Sequence, residues 1–182
     1  MSKDSDKIKI LVLCTGNSCR SQMAEGLFRH FGGDKIDVKS AGLEPKGVNP
    51  IAIQVMKEVG IDISGHTSKH LNEYLNEDFD YVITVCDNAA ANCPVFPSRP
   101  SSNKGRHPFD KLRMTPQGDK SEKDPNGSHA EPVEARLPIR LHWPFPDPAN
   151  ATGTEAVIMR VFKKVRDEIG EKVKGWVGIA LK

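Results

Sequence analysis

The sequence predicts an α/β fold, an open and mostly parallel sheet of four strands with helices on both faces. Short apolar or β-branched runs alternate with helical patterns through the first half of the chain, as in repeated strand–helix units. The run from Tyr81 to Val85 is typical of a strand that a parallel sheet buries on both faces. Ligands of such sheets bind beyond the carboxyl ends of the strands.

The first elements follow from their apolar periodicity. Residues 9–13 form an apolar strand, and a short loop leads from it into a helical pattern over residues 21–31. A second strand is predicted over residues 37–40. The strand of residues 81–85 comes next, and it delivers Cys86 to a strand end.

Two more helices carry start signals. Asn49 is a preferred N-cap residue, and Pro50 suits the first helical position, so a helix is predicted from Pro50 to Gly60. The last helix is predicted to begin after Thr154 and to cover the sheet with one apolar face. Its face consists of residues at four-residue spacing: Val157, Val161, Val165, Ile169 and Val173.

Residues 98–137 interrupt this pattern. They are rich in Pro, Gly, Ser and charged residues and have no clear periodicity, so they can bury little apolar surface. We interpret them as a surface insertion of low order within a single domain spanning residues 1–182. Part of the segment resembles the translated product of a dispersed bacterial palindromic repeat, and a partner-docking arm is the alternative.

We expect a soluble protein of the cytoplasm, and we expect it to be a monomer. The net charge is +2, and the 26 basic residues are scattered among 24 acidic ones, so no nucleic-acid footprint is expected. The longest apolar run, about six residues, is far shorter than the roughly 20 that span a membrane. The start of the chain lacks the apolar region of a signal peptide. Four cysteines in a reducing compartment indicate catalysis, redox chemistry or metal binding.

The loop between the first strand and the first helix is the strongest functional signal. It reads Cys14-Thr15-Gly16-Asn17-Ser18-Cys19-Arg20-Ser21. N–H groups at a helix start attract a tetrahedral anion, and Arg20 can hold two of its oxygens in a bidentate fork. The same field favours the thiolate of Cys14, which is the nucleophilic form. We expect Asn17 and Ser18 to brace the loop and Cys19 to pack. A buried strand-end cysteine beside a solvated arginine is the ordinary alternative.

Cys86 and Cys93 form a second candidate pair. Zinc sites prefer cysteines two to four residues apart or interleaved histidines, and this pair has neither. A disulfide is feasible if the intervening segment bends its ends together, and packing in the core is the alternative. The strand-end location of Cys86 favours redox chemistry.

Asp147 is the candidate general acid. Prolines flank it on both sides and restrict the approach of its carboxyl group. A Cys-x5-Arg loop needs a proton donor for the departing oxygen. The alternative is a turn former or an N-cap for the final helix.

Together these residues resemble the thioredoxin-coupled arsenate reductases, which have the low-molecular-weight tyrosine phosphatase fold. The resemblance covers the chain apart from residues 98–137. The segments that carry it are Cys14 to Glu25, Ser40-Ala41-Gly42, Val82 to Cys86, Cys93-Pro94 and Asp147-Pro148.

The resemblance implies a mechanism and a set of site residues. Arsenate binds the loop, Cys14 attacks arsenic, and Asp147 protonates the leaving hydroxide. Cys86 then attacks the Cys14 adduct and releases arsenite, and Cys93 attacks Cys86 to free Cys14. No cofactor is bound, reduced thioredoxin supplies the electrons, and phosphate or sulfate competes with arsenate. The implied anion-binding residues are Thr15, Gly16, Asn17, Ser18, Cys19 and Arg20, with Ser21, Glu25, Ser40 and Lys69 in support.

Two departures from the family pattern matter. Members that bind potassium use a cluster matching Asn17, Glu25 and Ser40 plus an acidic residue, which aligns with Lys69 here. We expect the Lys69 ammonium to replace the cation and to make activity independent of potassium, whereas the alternative is a solvated lysine. The second departure is the insertion, which lies between the redox cysteines and Asp147.

Two other functions compete with this interpretation. A low-molecular-weight phosphotyrosine phosphatase would use the same Cys14, Arg20 and Asp147 but would not need Cys86 or Cys93. Gln22 stands where these phosphatases generally carry proline. A thiol-based oxyanion or redox sensor without turnover is the third possibility, although the sequence contains no output module for it.

Overall fold

One parallel sheet forms the centre of the molecule. The computed structural model describes residues 7–96 and 137–182. Its strands are β1 (Ile8–Cys14), β2 (Ile36–Gly42), β3 (Tyr81–Thr84) and β4 (Ile139–His142). Within the described ranges they form a single four-stranded sheet in the order β2-β1-β3-β4, and every pairing is parallel. The predicted α/β class is confirmed.

The described helices are α1 (Arg20–Gly32), α2 (Pro50–Glu58), α3 (Asp87–Ala91) and α4 (Glu155–Ala180). Two of them, α2 and α4, begin where the capping signals predict. The Asn49 side chain accepts the N–H of Ile51 at 2.8 Å and caps α2, and the Thr154 side chain caps α4. Both predicted starts are therefore confirmed.

The buried face of α4 differs from the predicted stripe. Val157 is 42% exposed, because an α-helix repeats every 3.6 residues and a strict spacing of four drifts around its axis. The prediction is wrong at Val157 and correct from Val165 onward. The buried residues are Phe162, Val165, Arg166, Ile169, Val173, Trp176, Val177 and Ala180.

An aromatic cluster fixes the chain that follows β4. Phe28 of α1 stacks on Trp143 with 6.0 Å between ring centroids and meets Trp176 of α4 edge-on at 5.6 Å. Tyr81 of β3 also meets Trp176 edge-on, at 4.9 Å. Because Trp143 lies just after β4, the cluster anchors the segment that leads to Asp147.

The strand register places Cys14 and Cys86 at the same end of the sheet. Cys14, the last residue of β1, pairs with Gly42 of β2, and its neighbour Leu13 pairs with Thr84 of β3. Cys14 and Cys86 thus lie at the carboxyl ends of adjacent strands, as the alternating pattern predicts.

The sequence patterns do not locate β4. Its residues alternate between half-buried and exposed, and prolines stand on both sides of it. The predicted insertion over residues 98–137 lies outside the described residues except for Leu137. In the part of the chain that the structure describes, no helix combines the length and apolar character needed to cross a bilayer.

Candidate active site

The Cys14 sulfur lies at the bottom of the loop between β1 and α1. It is 3% exposed. The backbone N–H of Asn17 donates to Sγ at 3.0 Å, and Ser21 Oγ lies 2.9 Å from the same sulfur. The loop thus places an N–H donor and a hydroxyl group against this sulfur.

The segment of residues 43–49 holds the loop from outside through backbone hydrogen bonds. Its N–H groups donate to four loop carbonyls, those of Cys14, Thr15, Gly16 and Ser18. A helix start leaves its first N–H groups without intrahelical acceptors. With its carbonyls engaged by this segment, the loop offers N–H donors to a tetrahedral anion.

Gly42 lets β2 approach the loop. A Cβ at this position would come within 2.7 Å of Thr15 O and 2.8 Å of Asn17 N. No side chain fits there without moving the loop backbone. The Ser40-Ala41-Gly42 segment therefore contributes to the site in two ways, through the Ser40 side chain and through the absence of a side chain at Gly42.

Asn17 joins the loop to the surrounding elements. Its φ of 43° is in the left-handed region, which asparagine tolerates better than most residues. Its fully buried side chain donates to Ser21 Oγ at 2.9 Å and Ser40 Oγ at 2.8 Å. Its Oδ1 accepts the backbone N–H of Lys69 at 2.8 Å. These hydrogen bonds connect the loop to α1 and β2.

Gln22 forms hydrogen bonds to Asn17, and it was not among the predicted site residues. Its fully buried amide donates to Asn17 O at 3.1 Å, Asn17 Oδ1 at 3.0 Å and Thr67 O at 3.1 Å. The available signal was a polar residue in the first turn of α1, at a position that packs inside.

His66 completes this arrangement as a neutral imidazole, because burial lowers its pKa. Arg29 can only donate, so His66 Nε2 accepts from it at 3.0 Å. The proton then lies on Nδ1, which donates to Gln22 Oε1 at 3.0 Å. This orientation leaves the Gln22 NH₂ group to donate to the loop, as the geometry requires.

The cluster matched to the family's potassium site does not fit a potassium ion. Ser40 donates to Glu25 Oε2 at 2.5 Å, and the other Glu25 oxygen forms an ion pair with Arg29. Asn17 Oδ1 already accepts two hydrogen bonds. The oxygens that would hold a cation are occupied by donors, and a guanidinium balances the buried carboxylate.

Lys69 contacts this cluster through its backbone and not, as expected, through its ammonium group. Its backbone N–H bonds to Asn17, while its ammonium donates to Thr67 O at 3.1 Å on the exposed side. A long side chain gains more hydration by reaching solvent than by burial beside Arg29. The charge that faces Glu25 is that of Arg29, one helical turn farther along α1.

Arg20 and Asp147 meet at the entrance of the loop. Arg20 Nη2 lies 2.5 Å from Asp147 Oδ2, and Nη1 donates to Phe145 O at 2.9 Å. The other Asp147 oxygen accepts the N–H of Ala149 at 3.1 Å, so Asp147 caps the short turn of residues 148–150, whereas Thr154 caps the final helix. The structure thus brings the predicted anion-binding and acid residues together.

Cys86 lies beside the loop, and Cys93 lies farther out. Cys86 Sγ is 3.4 Å from Thr15 Oγ1, and the Asn88 side chain donates to the same oxygen at 3.0 Å. Both cysteines are free thiols, with Cys86 buried and Cys93 partly exposed. The helix α3 separates them.

Cys19 has a different character from the other loop cysteine. Burial raises the pKa of its thiol to about 11, so it is a neutral, packed side chain at neutral pH. This fits the packing role expected for it.

Comparison with known proteins gives a consistent picture. Residues 9–106 match the family described as low molecular weight phosphotyrosine protein phosphatase. The arsenate reductase of Halalkalibacterium halodurans is 42% identical over 93% of this chain and 94% of that protein. The arsenate reductase of Bacillus subtilis is 41% identical over 91% of both chains. A solved structure titled as an arsenate reductase in the phosphate binding state has a TM-score of 0.61 at 30% identity, covering 95% of this chain and 98% of the other.

Proposed function

Because the chain belongs to the low molecular weight phosphotyrosine protein phosphatase family, and to the arsenate reductases within it, we propose that it reduces arsenate to arsenite through three cysteines that thioredoxin recycles. The observation that carries this proposal is the place of Cys86. Its sulfur contacts Thr15, the residue next to Cys14, at 3.4 Å. A second thiol beside the nucleophile is what a reductase needs and a phosphatase does not.

The first step joins arsenic to Cys14. Arsenate binds to the loop N–H groups and to the Arg20 guanidinium. The Cys14 thiolate attacks arsenic, and Asp147 transfers a proton to the departing hydroxide, which leaves as water. Arsenic is still pentavalent in this adduct.

The second step transfers two electrons to arsenic. The Cys86 thiolate attacks the Cys14 sulfur, and the electron pair of the sulfur–arsenic bond stays on arsenic, which departs as trivalent arsenite. Two thiols have become the Cys14–Cys86 disulfide. The buried position of both cysteines keeps solvent thiols away from this step.

The third step moves the disulfide outward. Cys93 attacks Cys86, and Cys14 leaves as a thiolate that is ready for the next arsenate. The new Cys86–Cys93 disulfide includes the more exposed cysteine, where a dithiol protein such as reduced thioredoxin can reach it.

Phosphomonoester hydrolysis is the second candidate function. Cys14, Arg20 and Asp147 are the residues that it requires, and the loop offers the same donors to phosphate as to arsenate. Gln22, whose amide is bound to Asn17 and Thr67, stands where the phosphatases generally carry proline. We therefore expect hydrolysis only as a slow side reaction.

The test is arsenate-dependent NADPH oxidation with thioredoxin and thioredoxin reductase, beside Cys86→Ser and Cys93→Ser. Steady turnover should be lost in both variants. A single-turnover measurement then separates them, because Cys93→Ser should still release about one arsenite per chain and Cys86→Ser none. Wild-type protein that hydrolyses a phosphate ester but shows no arsenate turnover would contradict the proposal.

A further inference from the structure

The strand β4 holds the Cys93 end of the segment between the two distal cysteines. Arg140 Nη2 donates to the backbone carbonyl of Cys93 at 2.8 Å and to that of Pro94 at 2.6 Å. A guanidinium offers several fixed donors, so one side chain can bind two successive carbonyls. These contacts fix the backbone of Cys93 and do not engage its sulfur.

The same strand holds the other end of the segment. His142 Nε2 lies 3.0 Å from Asp87 Oδ1, and its Nδ1 lies 2.9 Å from Thr84 Oγ1. Asp87 is the first residue of α3 and follows Cys86 directly. Because Arg140 and His142 are two residues apart on a strand, their side chains point to the same side, and both are exposed.

The segment has to change its conformation before its cysteines can join. The five residues of α3 carry the chain about 7 Å along the helix axis before the flanking residues are counted. The Cα atoms of a disulfide are roughly 4.4–6.8 Å apart. A Cys86–Cys93 disulfide therefore requires α3 to unwind, and the contacts of Arg140 and His142 belong to the dithiol form.

Building on the proposed cysteine relay, we propose that Arg140 is a positioning residue that holds Cys93 in the dithiol conformation, with His142 and Asp87 as the second anchor. Releasing Arg140 from the carbonyls of Cys93 and Pro94 lets Cys93 reach Cys86. The contacts stabilise the dithiol relative to the disulfide, so they make the Cys86–Cys93 disulfide more oxidising and easier for a donor to reduce.

The experiment measures the equilibrium between the Cys86–Cys93 dithiol and disulfide in glutathione buffers. Acid quenching, alkylation and peptide mass spectrometry assign the disulfide in the full chain. The variants are Arg140→Gln, which removes the charge and keeps part of the stem, and Asp87→Ala, which removes the second anchor. Arg160→Gln is the matched control, because Arg160 is an exposed arginine on α4, away from this segment.

We expect Arg140→Gln to favour the disulfide about threefold to tenfold, a potential lower by about 15–30 mV. Asp87→Ala should shift it in the same direction but less, because this carboxylate is 90% exposed. In the same variants, the thermal midpoint should fall for the dithiol protein and stay unchanged for the disulfide form. A merely structural role would lower both midpoints and leave the potential unchanged.

Two results would overturn the proposal in distinguishable ways. If Arg140→Gln and Arg160→Gln both have the wild-type equilibrium, the anchoring role of Arg140 is wrong while the relay stands. If the wild-type chain forms no Cys86–Cys93 disulfide at any glutathione potential, the relay itself is wrong and the anchoring role goes with it.

Discussion

The guanidinium of Arg20 and the carboxylate of Asp147 are in direct contact, with 2.5 Å between Nη2 and Oδ2. The residue proposed to bind the oxyanion is therefore paired with the residue proposed to serve as the acid. An arriving anion competes with Asp147 for the same guanidinium. When Arg20 turns to the anion, the bond from Ala149 N to Asp147 Oδ1 keeps the carboxyl group in place.

Asp147→Asn should separate anion binding from turnover. Removing the competing charge frees Arg20, so sulfate should bind about twofold to fivefold more tightly, the effect expected for a partly exposed ion pair. Arsenate turnover should fall about 100-fold or more, because an amide cannot donate the acid proton. Calorimetric titration with sulfate and the thioredoxin-coupled assay measure the two effects.

The control for this variant is Asp34→Asn, an exposed aspartate on the turn before β2. It should change neither quantity. Weaker sulfate binding in Asp147→Asn would mean that the carboxylate holds Arg20 in its anion-binding position instead of competing for it.

Gly42→Ala tests the close approach of β2 to the loop. The new methyl group would lie 2.7 Å from Thr15 O and 2.8 Å from Asn17 N, so the loop has to shift. We expect a loss of about 1–3 kcal/mol in the free energy of unfolding and sulfate binding too weak to detect. Urea unfolding and calorimetry measure these effects.

Gly65→Ala is the matched control, because nothing lies within 4 Å of the place that its new methyl group would occupy. It should retain wild-type stability and sulfate affinity. If the two alanine variants have equal stability and equal sulfate affinity, the loop can shift without loss of either.

Gln22→Met tests the amide beneath Asn17. Methionine fills a similar volume but leaves Thr67 O and the His66 Nδ1–H without the partners they have now. A buried polar group that loses its partner costs about 1–3 kcal/mol. Both of these groups are only partly buried, so each should cost less than the upper value, and unfolding should be easier by about 2–4 kcal/mol in total. Anion affinity should fall too, because Asn17 loses its support.

Gln54→Met is the corresponding control on the exposed side of α2, and its stability should stay close to wild type. Urea unfolding of the three proteins gives the comparison. A Gln22→Met protein as stable as Gln54→Met would contradict the inferred role of the buried amide.

The parts of the fold that the sequence predicts well depend on local signals. The apolar strand before Cys14, the Asn49-Pro50 cap and the run of β3 each specify their structure within a few residues. The fold class follows because such units combine in few ways. The loop between Cys14 and Arg20 is equally local, and its anion-binding geometry could be anticipated.

The remaining features depend on contacts between distant residues. Gln22 meets Thr67, and Arg140 binds Cys93 across the sheet edge. No spacing rule encodes these two pairs, because the sheet order and the side-chain directions decide them. The half-exposed strand β4 was not predicted for the same reason, because this segment becomes a strand only by pairing with β3. Arg29 instead pairs with Glu25 at the i,i+4 spacing of α1, which is a local signal in the sequence.

Cys19 predicts how stability responds to alkaline pH. Burial raises the pKa of its thiol from 9.0 to about 11, so the folded chain retains a proton that the unfolded chain loses above pH 9. The unfolded state then binds fewer protons, and stability falls as the pH rises from 9 toward 11.

Cys19→Ala removes this dependence at a cavity cost that does not vary with pH. Between pH 8 and pH 10, the unfolding free energy of wild type should therefore fall by about 1–2 kcal/mol relative to that of Cys19→Ala. Burial also raises the pKa of Tyr74, from 10.0 to about 12, so the ionisation of Tyr74 lowers the stability mainly above pH 10. The Tyr74→Phe variant measures this second effect separately. Urea unfolding at the two pH values makes the measurement. A constant difference between wild type and Cys19→Ala would show that the Cys19 thiol ionises as readily in the folded loop as in the unfolded chain.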